Sequence, residues 1–124
     1  PPLNVFSAEK RGQRFSGAGG IDFAASPAHA QLADGRYRIG VRPHRLELGQ
    51  TRAAGFDAKV TLTEVTGSET FIHAAHAGTD IIALVHGVRR VDAGDTVHLS
   101  FDPAEILVFG EDGIAVAAPA AMAA

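Results

Sequence analysis

Phe56-Asp57-Ala58-Lys59-Val60-Thr61-Leu62-Thr63 alternates apolar and polar residues without a break. Side chains in a strand point to opposite faces with a period of two, so this run predicts a β-strand that buries Phe56, Ala58, Val60 and Leu62. The alternation changes phase at Glu64-Val65, which predicts a bulge or bend there. Gly67-Ser68 separates the run from Glu69 to Ala77, and Gly78-Thr79 separates that from Asp80 to His86. Three strands joined by short Gly-containing turns make an antiparallel meander. Ala93-Gly94-Asp95 then feeds a strand in which Val97, Leu99 and Phe101 share one face. Ile106 to Phe109 and Ile114 to Ala117, flanking Glu111-Asp112-Gly113, read as a closing hairpin.

The first third has a weaker pattern. Leu3 to Phe6, Gln13 to Phe15, Gly20 to Ala24, His29 to Leu32 and Tyr37 to Val41 each suit a short strand, with turns at Ser16-Gly17-Ala18-Gly19-Gly20 and Asp34-Gly35. Pro43 and Pro103 each open about one helical turn, because proline suits the first helical position. No window holds a long amphipathic helix. About ten short strands without helical crossovers give an all-β barrel or sandwich, and a small Greek-key barrel is the expected form.

The chain has 124 residues, 46% of them hydrophobic, with 14 Gly, 6 Pro and no Cys. That suits one compact domain rich in turns. Disulfide scaffolds, thiolate metal sites and cysteine nucleophiles are excluded. The longest apolar run, Ile81 to Val85, is far shorter than the roughly 18 residues of a membrane-spanning helix. Residues 119–124 read as an Ala-rich tail, and a first residue of Pro with no signal segment after it reads as a piece of a longer protein. Charge is divided along the chain. Residues 1–54 carry eight basic against four acidic side chains, a net of +4, and residues 55–124 carry three against ten, a net of −7. The two segments can complement each other within one chain or between twin chains.

Catalytic motifs are missing. The sequence contains no G-x-x-x-x-G-K-[ST] phosphate loop, no H-E-x-x-H and no G-x-S-x-G, so no catalytic residue is assigned. Gly17-Ala18-Gly19-Gly20 precedes a strand and offers no helix terminus to an anion, so it reads as a turn. No metal is expected, because His73 and His76 are three apart in a strand and face opposite ways. His86 and His98 can meet only if their strands are neighbours, and no acidic residue stands beside them at ligand spacing.

Three segments are more specific: Gly40-Val41-Arg42-Pro43-His44-Arg45-Leu46, Val65-Thr66-Gly67-Ser68-Glu69-Thr70-Phe71-Ile72-His73, and the run from Phe101 to Gly113 that holds Pro103 and Phe109. With the opening Pro1-Pro2-Leu3-Asn4-Val5-Phe6, in this order and spacing, they resemble the C-terminal TOBE region of ATP-binding subunits of ABC importers of the maltose and glycerol-phosphate type. Gly40, Arg42 and Pro43 match a Gly-Ile-Arg-Pro-Glu-His signature in which His44 and Arg45 replace the Glu and His. Glu64, Gly67, Glu69 and Thr70 match a Val-Glu-x-Leu-Gly-x-Glu-Thr pattern, and Pro103, Val108 and Phe109 match the closing one.

The resemblance implies an oligonucleotide/oligosaccharide-binding-like (OB-like) barrel of the TOBE/MOP kind over residues 1–118, expected as one domain or as two interleaved OB-like parts, 1–54 and 55–118. It implies a regulatory, dimer-supporting domain without chemistry of its own, with ATP and Mg held in an upstream ATPase domain and no cofactor in this chain. Implied partners are that upstream domain, a second copy, the transporter's membrane subunits and a regulatory protein, at the cytoplasmic face of the bacterial plasma membrane. Arg42, Pro43, His44, Glu64, Gly67, Glu69 and Phe109 are the structural or interface candidates, and no ligand-binding residue is assigned. Arg42, held extended before Pro43, is expected to pair with Glu64 or Glu69. Two other classes remain: an oxyanion sensor using Arg36, Arg38, Arg42 and Arg45, and a nucleic-acid binder. The second lacks the stacking aromatics such surfaces need, with one Tyr and no Trp, so no nucleic-acid partner is expected.

Overall fold

A computed structural model describes residues 3–117; Pro1, Pro2 and the Ala-rich tail expected at 119–124 lie outside the described residues. Two antiparallel sheets carry the fold. The first is formed by β1 (Asn4–Arg11), β2 (Arg14–Gly17), β3 (Asp22–Ala24), β4 (Gly35–Val41), β10 (Leu107–Phe109) and β11 (Ala115–Ala117), in the order β11-β10-β4-β1-β2-β3. The second is formed by β5 (Glu47–Leu48), β6 (Ala54–Thr66), β7 (Glu69–His76), β8 (Thr79–His86) and β9 (Thr96–Phe101), in the order β5-β9-β6-β7-β8. The sheets curl into an OB-like half-barrel, so the expected all-β class stands.

Alternation places the core between them. Phe6, Phe15, Phe23 and Ile39 of the first sheet and Phe56, Ile72, Ile81, Leu99 and Phe101 of the second belong to one buried cluster. Phe101 is its hub, with ring centroids 5.3 Å from Phe23, 6.4 Å from Phe6 and 6.5 Å from Phe56. Aromatic pairs at such spacings add to what their buried area contributes.

The meander forms as the sequence predicts, with Glu69 to Ala75 paired to β6 and Glu69 to His76 paired to β8. Its bulge lies earlier than expected. Val60 pairs with Ala74 but Leu62 pairs with His73, so the extra residue is Thr61 and not one at Glu64-Val65. One inserted residue reverses the faces, which is why Leu62, expected in the core, is 52% exposed. The second hairpin turns on Ala77 and Gly78, at φ 47 and 80, one residue before the expected pair. Two left-handed residues in succession give a turn whose twist matches the strands it joins.

The first third departs further. β1 runs on to Arg11, well past the expected Phe6, and His29 lies in a one-turn helix, α1 (Pro27–Ala30), where a strand at His29 to Leu32 was expected. Pro27 supplies a preset helical φ, and the Ser26 hydroxyl and His29 Nδ1 are hydrogen-bonded at 3.0 Å, which closes the turn. Two buried polar side chains tie this region down. Lys10, 1% exposed, donates from Nζ to the carbonyl oxygens of Gly12, Ala30 and Leu32, the last two at 3.0 and 2.8 Å. Asn4 donates to Ile82 O and accepts from Ile82 N, both at 2.8 Å, and so satisfies the free edge of β8 from β1 in the other sheet.

Candidate functional site

β4 ends at Val41, and Arg42 follows at φ −68, ψ 145, the extended shape that a residue before proline is held in. Pro43–Arg45 then forms one 3-10 turn, and Pro103–Glu105 forms another after β9. Arg45 donates to the Glu105 carboxylate, which links the two proline-led turns across 60 residues of sequence. Asp102 accepts from Ala104 N at 2.9 Å and caps the second turn. Beside them Glu47 accepts from Thr51 Oγ1 at 2.7 Å and from Arg52 Nε at 2.6 Å. Those two bonds, Thr51 first and Arg52 second, hold the Glu47 carboxyl below its usual range, and Glu47 in turn raises Arg52.

A groove of about 360 Å³ lies between this end and the last residues of β8, with His44, Leu46, Glu47, Leu84, His86 and Arg89 among its walls. A second, of about 270 Å³, crosses β1 and β2 and is lined by Ser7, Glu9, Ser16 and Arg36. Arg36 is the one of the four arginines expected in an anion site that lines either groove. Arg45 is taken up by Glu105.

The sequence-derived candidates fall into three places. Arg42, Pro43 and His44 are at the first 3-10 turn, Glu64, Gly67 and Glu69 surround the β6–β7 hairpin, and Phe109 ends β10. The expected Arg42 pair is not formed. Glu64 is hydrogen-bonded with His73 Nε2 at 2.6 Å, Glu69 lies 3.9 Å from His86 Nδ1, and among the described residues no ion pair includes Arg42. Cross-strand neighbours take both carboxylates first: Glu69 stands opposite His86, and Glu64, opposite Phe71, is diagonal to His73. His86 and His98 do not meet either, since β6 and β7 stand between their strands. His98 Nδ1 bonds Asp57 at 2.8 Å instead. Among the described residues no group of three or more His, Asp or Glu is arranged to hold a metal ion. Phe109 and Leu3 both lie over Gly40, where an added Cβ would come within 3.1 Å and 2.9 Å of them, so a side chain at position 40 would require both to shift.

Sequence reasoning missed Asn4, Lys10 and His76, whose partners are main-chain groups far away in the chain. No local pattern announces such partners.

Residues 39–109, more than half of the chain, match the family model described as the TOBE domain. The chain belongs to the TOBE domain family. The matched span runs from the end of β4 to β10, and therefore includes both proline-led turns and the whole meander. This TOBE domain is 33% identical over 125 residues to the xylose/arabinose import ATP-binding protein XacK of Haloferax volcanii, an alignment covering 94% of this chain and 32% of that protein. It is 28% identical over 92 residues to the sn-glycerol-3-phosphate import ATP-binding protein UgpC of Chromobacterium violaceum, covering 72% of this chain and 25% of that one. The chain thus spans a quarter to a third of these relatives. Among solved structures, the cytoplasmic molybdate-binding protein ModG superposes with a TM-score of 0.66 at 18% identity, over 86% of this chain and 95% of that one. At that identity the likeness establishes the fold.

Proposed function

We propose that this TOBE domain is the accessory, regulatory and dimer-supporting part of the ATP-binding subunit of an ABC importer for sugars or sugar-phosphates. The alignment along 94% of the chain with an import ATP-binding protein carries this reading. Nucleotide and Mg would be held by an ATPase domain upstream, and the domain itself does no chemistry. Its partners are that ATPase domain, a second copy of the subunit and, through them, the membrane subunits, at the cytoplasmic face of the membrane; a regulatory protein is a further partner. Charge supports pairing of copies, since segments of +4 and −7 attract each other. Exposed attractions of this kind are screened over about 10 Å at 0.1 M salt, so self-association of the domain weakens as salt rises. Sedimentation velocity across concentration and salt tests the dimer role, and calorimetric titration with Mg-ATP tests the absence of a nucleotide site. A salt-resistant tight dimer contradicts the electrostatic account, and saturable heat at micromolar nucleotide contradicts the accessory role.

A second reading, an oxyanion sensor, draws on the groove that Arg36 and Ser16 line on either side of Glu9, and on the fold shared with a molybdate-binding protein. Titration with molybdate separates the two readings.

A further inference from the structure

His76 ends β7 on the buried side, 6% exposed, with its ring centroid 4.6 Å from that of Phe56. Both of its ring nitrogens meet main-chain carbonyl oxygens: Nδ1 lies 2.7 Å from Asp57 O on β6, and Nε2 lies 3.1 Å from Ala18 O in the Ala18–Gly20 turn. A carbonyl oxygen can only accept. Each contact therefore needs an N–H on the ring, and a neutral imidazole carries one while the imidazolium carries two. In the neutral ring one nitrogen lone pair would face a carbonyl lone pair at hydrogen-bond distance.

We propose that His76 is a protonation-operated latch: as an imidazolium it ties the Gly-rich Ala18–Gly20 turn to β6, and loss of one ring proton frees that turn. The shorter Asp57 contact keeps the remaining proton, so the contact released is the one to Ala18. The turn sits close over the ring. Gly19, at φ +73, has its missing Cβ position 2.5 Å from His76 Cε1, so no other residue fits there without displacement. Ala18 also walls two cavities, the groove of about 270 Å³ bearing Ser7, Ser16 and Arg36 and a smaller one of about 140 Å³ with Phe6, Ile21 and His76. Freeing the turn therefore reshapes the groove on β1 and β2.

No neighbouring charge supplies this switching in place of His76. On β6, the Asp57 carboxylate is engaged by His98 at 2.8 Å and Lys59 is exposed. On β8, Asp80 pairs in register with Ala75 and is exposed. On β1, Glu9 pairs with Arg11 at 2.5 Å and Lys10 is bound by three carbonyls. Flanking the turn, Arg14 and Asp22 pair with each other at 3.0 Å.

The test is a pH titration of the isotope-labelled chain, reading the His76 ring nitrogens by NMR together with amide exchange in residues 16–21. The expected result is a ring protonated on both nitrogens at the acidic end, which then loses the Nε2 proton. Turn protection, corrected for intrinsic exchange, falls about tenfold at the same midpoint, the equilibrium equivalent of one hydrogen bond to a charged group. In His76→Gln, which cannot donate to both carbonyls and take up a proton, turn protection is low and loses its pH step. A ring that stays in one neutral tautomer wherever the chain is folded overturns the latch. So does a ring that titrates while the turn amides do not respond. If His76→Gln fails to fold, the wild-type titration alone decides between these outcomes.

Discussion

The two sheets are held in different ways. In the second, β7 alternates buried and half-buried side chains throughout, β6 buries every other residue from Ala54 to Val60, β9 ends on three buried residues from Leu99 to Phe101, and each of the three has a hydrogen-bonded neighbour on both sides. Burial of one apolar face fixes the register there, because a one-residue slip would send every core side chain to solvent. In the first sheet the segment from Gly12 to Asp34 joins two short strands, a 3-10 turn and a one-turn helix. Its placement relies on long-range polar contacts, Lys10 to Ala30 and Leu32 and His76 to Ala18. The family match covers the first kind of region and begins only at residue 39. A repeated apolar pattern specifies a strand redundantly, whereas one lysine contacting three carbonyls has no substitute.

Substitutions can break or sharpen this contrast. The largest effect is expected at Phe101, fully buried and in contact with rings from both sheets. Phe101→Ala should cost about 3–5 kcal/mol in denaturant melts and loosen both sheets together. Lys10→Met keeps the stem but strands three carbonyl oxygens, and a loss of about 2–3 kcal/mol is expected. Here the damage should be local, with NMR shift changes confined to β1, β2 and the helix at Pro27 and absent from the meander. The smallest effect belongs to the exposed Glu47 and Arg52 pair. Arg52→Ala should lower the melting temperature at neutral pH only slightly, leave it unchanged in acid, and raise the Glu47 carboxyl, read by NMR titration. Glu47 is lowered in the folded chain, so its contribution is present above the unfolded carboxyl's titration and is lost as pH falls through the folded value. Arg52→Ala should therefore reduce the loss of stability in acid.

These differences also explain what the sequence disclosed. The meander, the closing hairpin and both proline-led turns are legible because their signals are local: alternation, Gly-containing turns, and Pro at a first helical position. The bulge at Thr61 is not, since the alternation of Val60, Thr61 and Leu62 looks unbroken and only the pairing with Ala74 and His73 exposes the inserted residue. His29 passes for a strand residue until Ser26 and Pro27 are read as a helix start. Lys10, a charged residue, occupies a fully buried position in β1, and apolar periodicity counts it as a break. At the candidate sites, the backbone before Pro43 follows from the residue pair alone, while the partner of Arg42 does not. Glu64 and Glu69 both suit that role by sequence, and strand pairing gives them to His73 and His86.

Residue-resolved amide exchange under native conditions, comparing the unaltered chain with Lys10→Met, tests this contrast most directly. Amides of β6, β7 and β9 should exchange only through global unfolding, with equal free energies. Those of β2, β3 and the helix at Pro27 should exchange through a smaller opening that becomes easier in Lys10→Met, with no change in the meander beyond the shift in global stability. Uniform exchange across both sheets, lowered equally everywhere by Lys10→Met, would contradict the account and show a single cooperative unit in which the buried lysine has no local task.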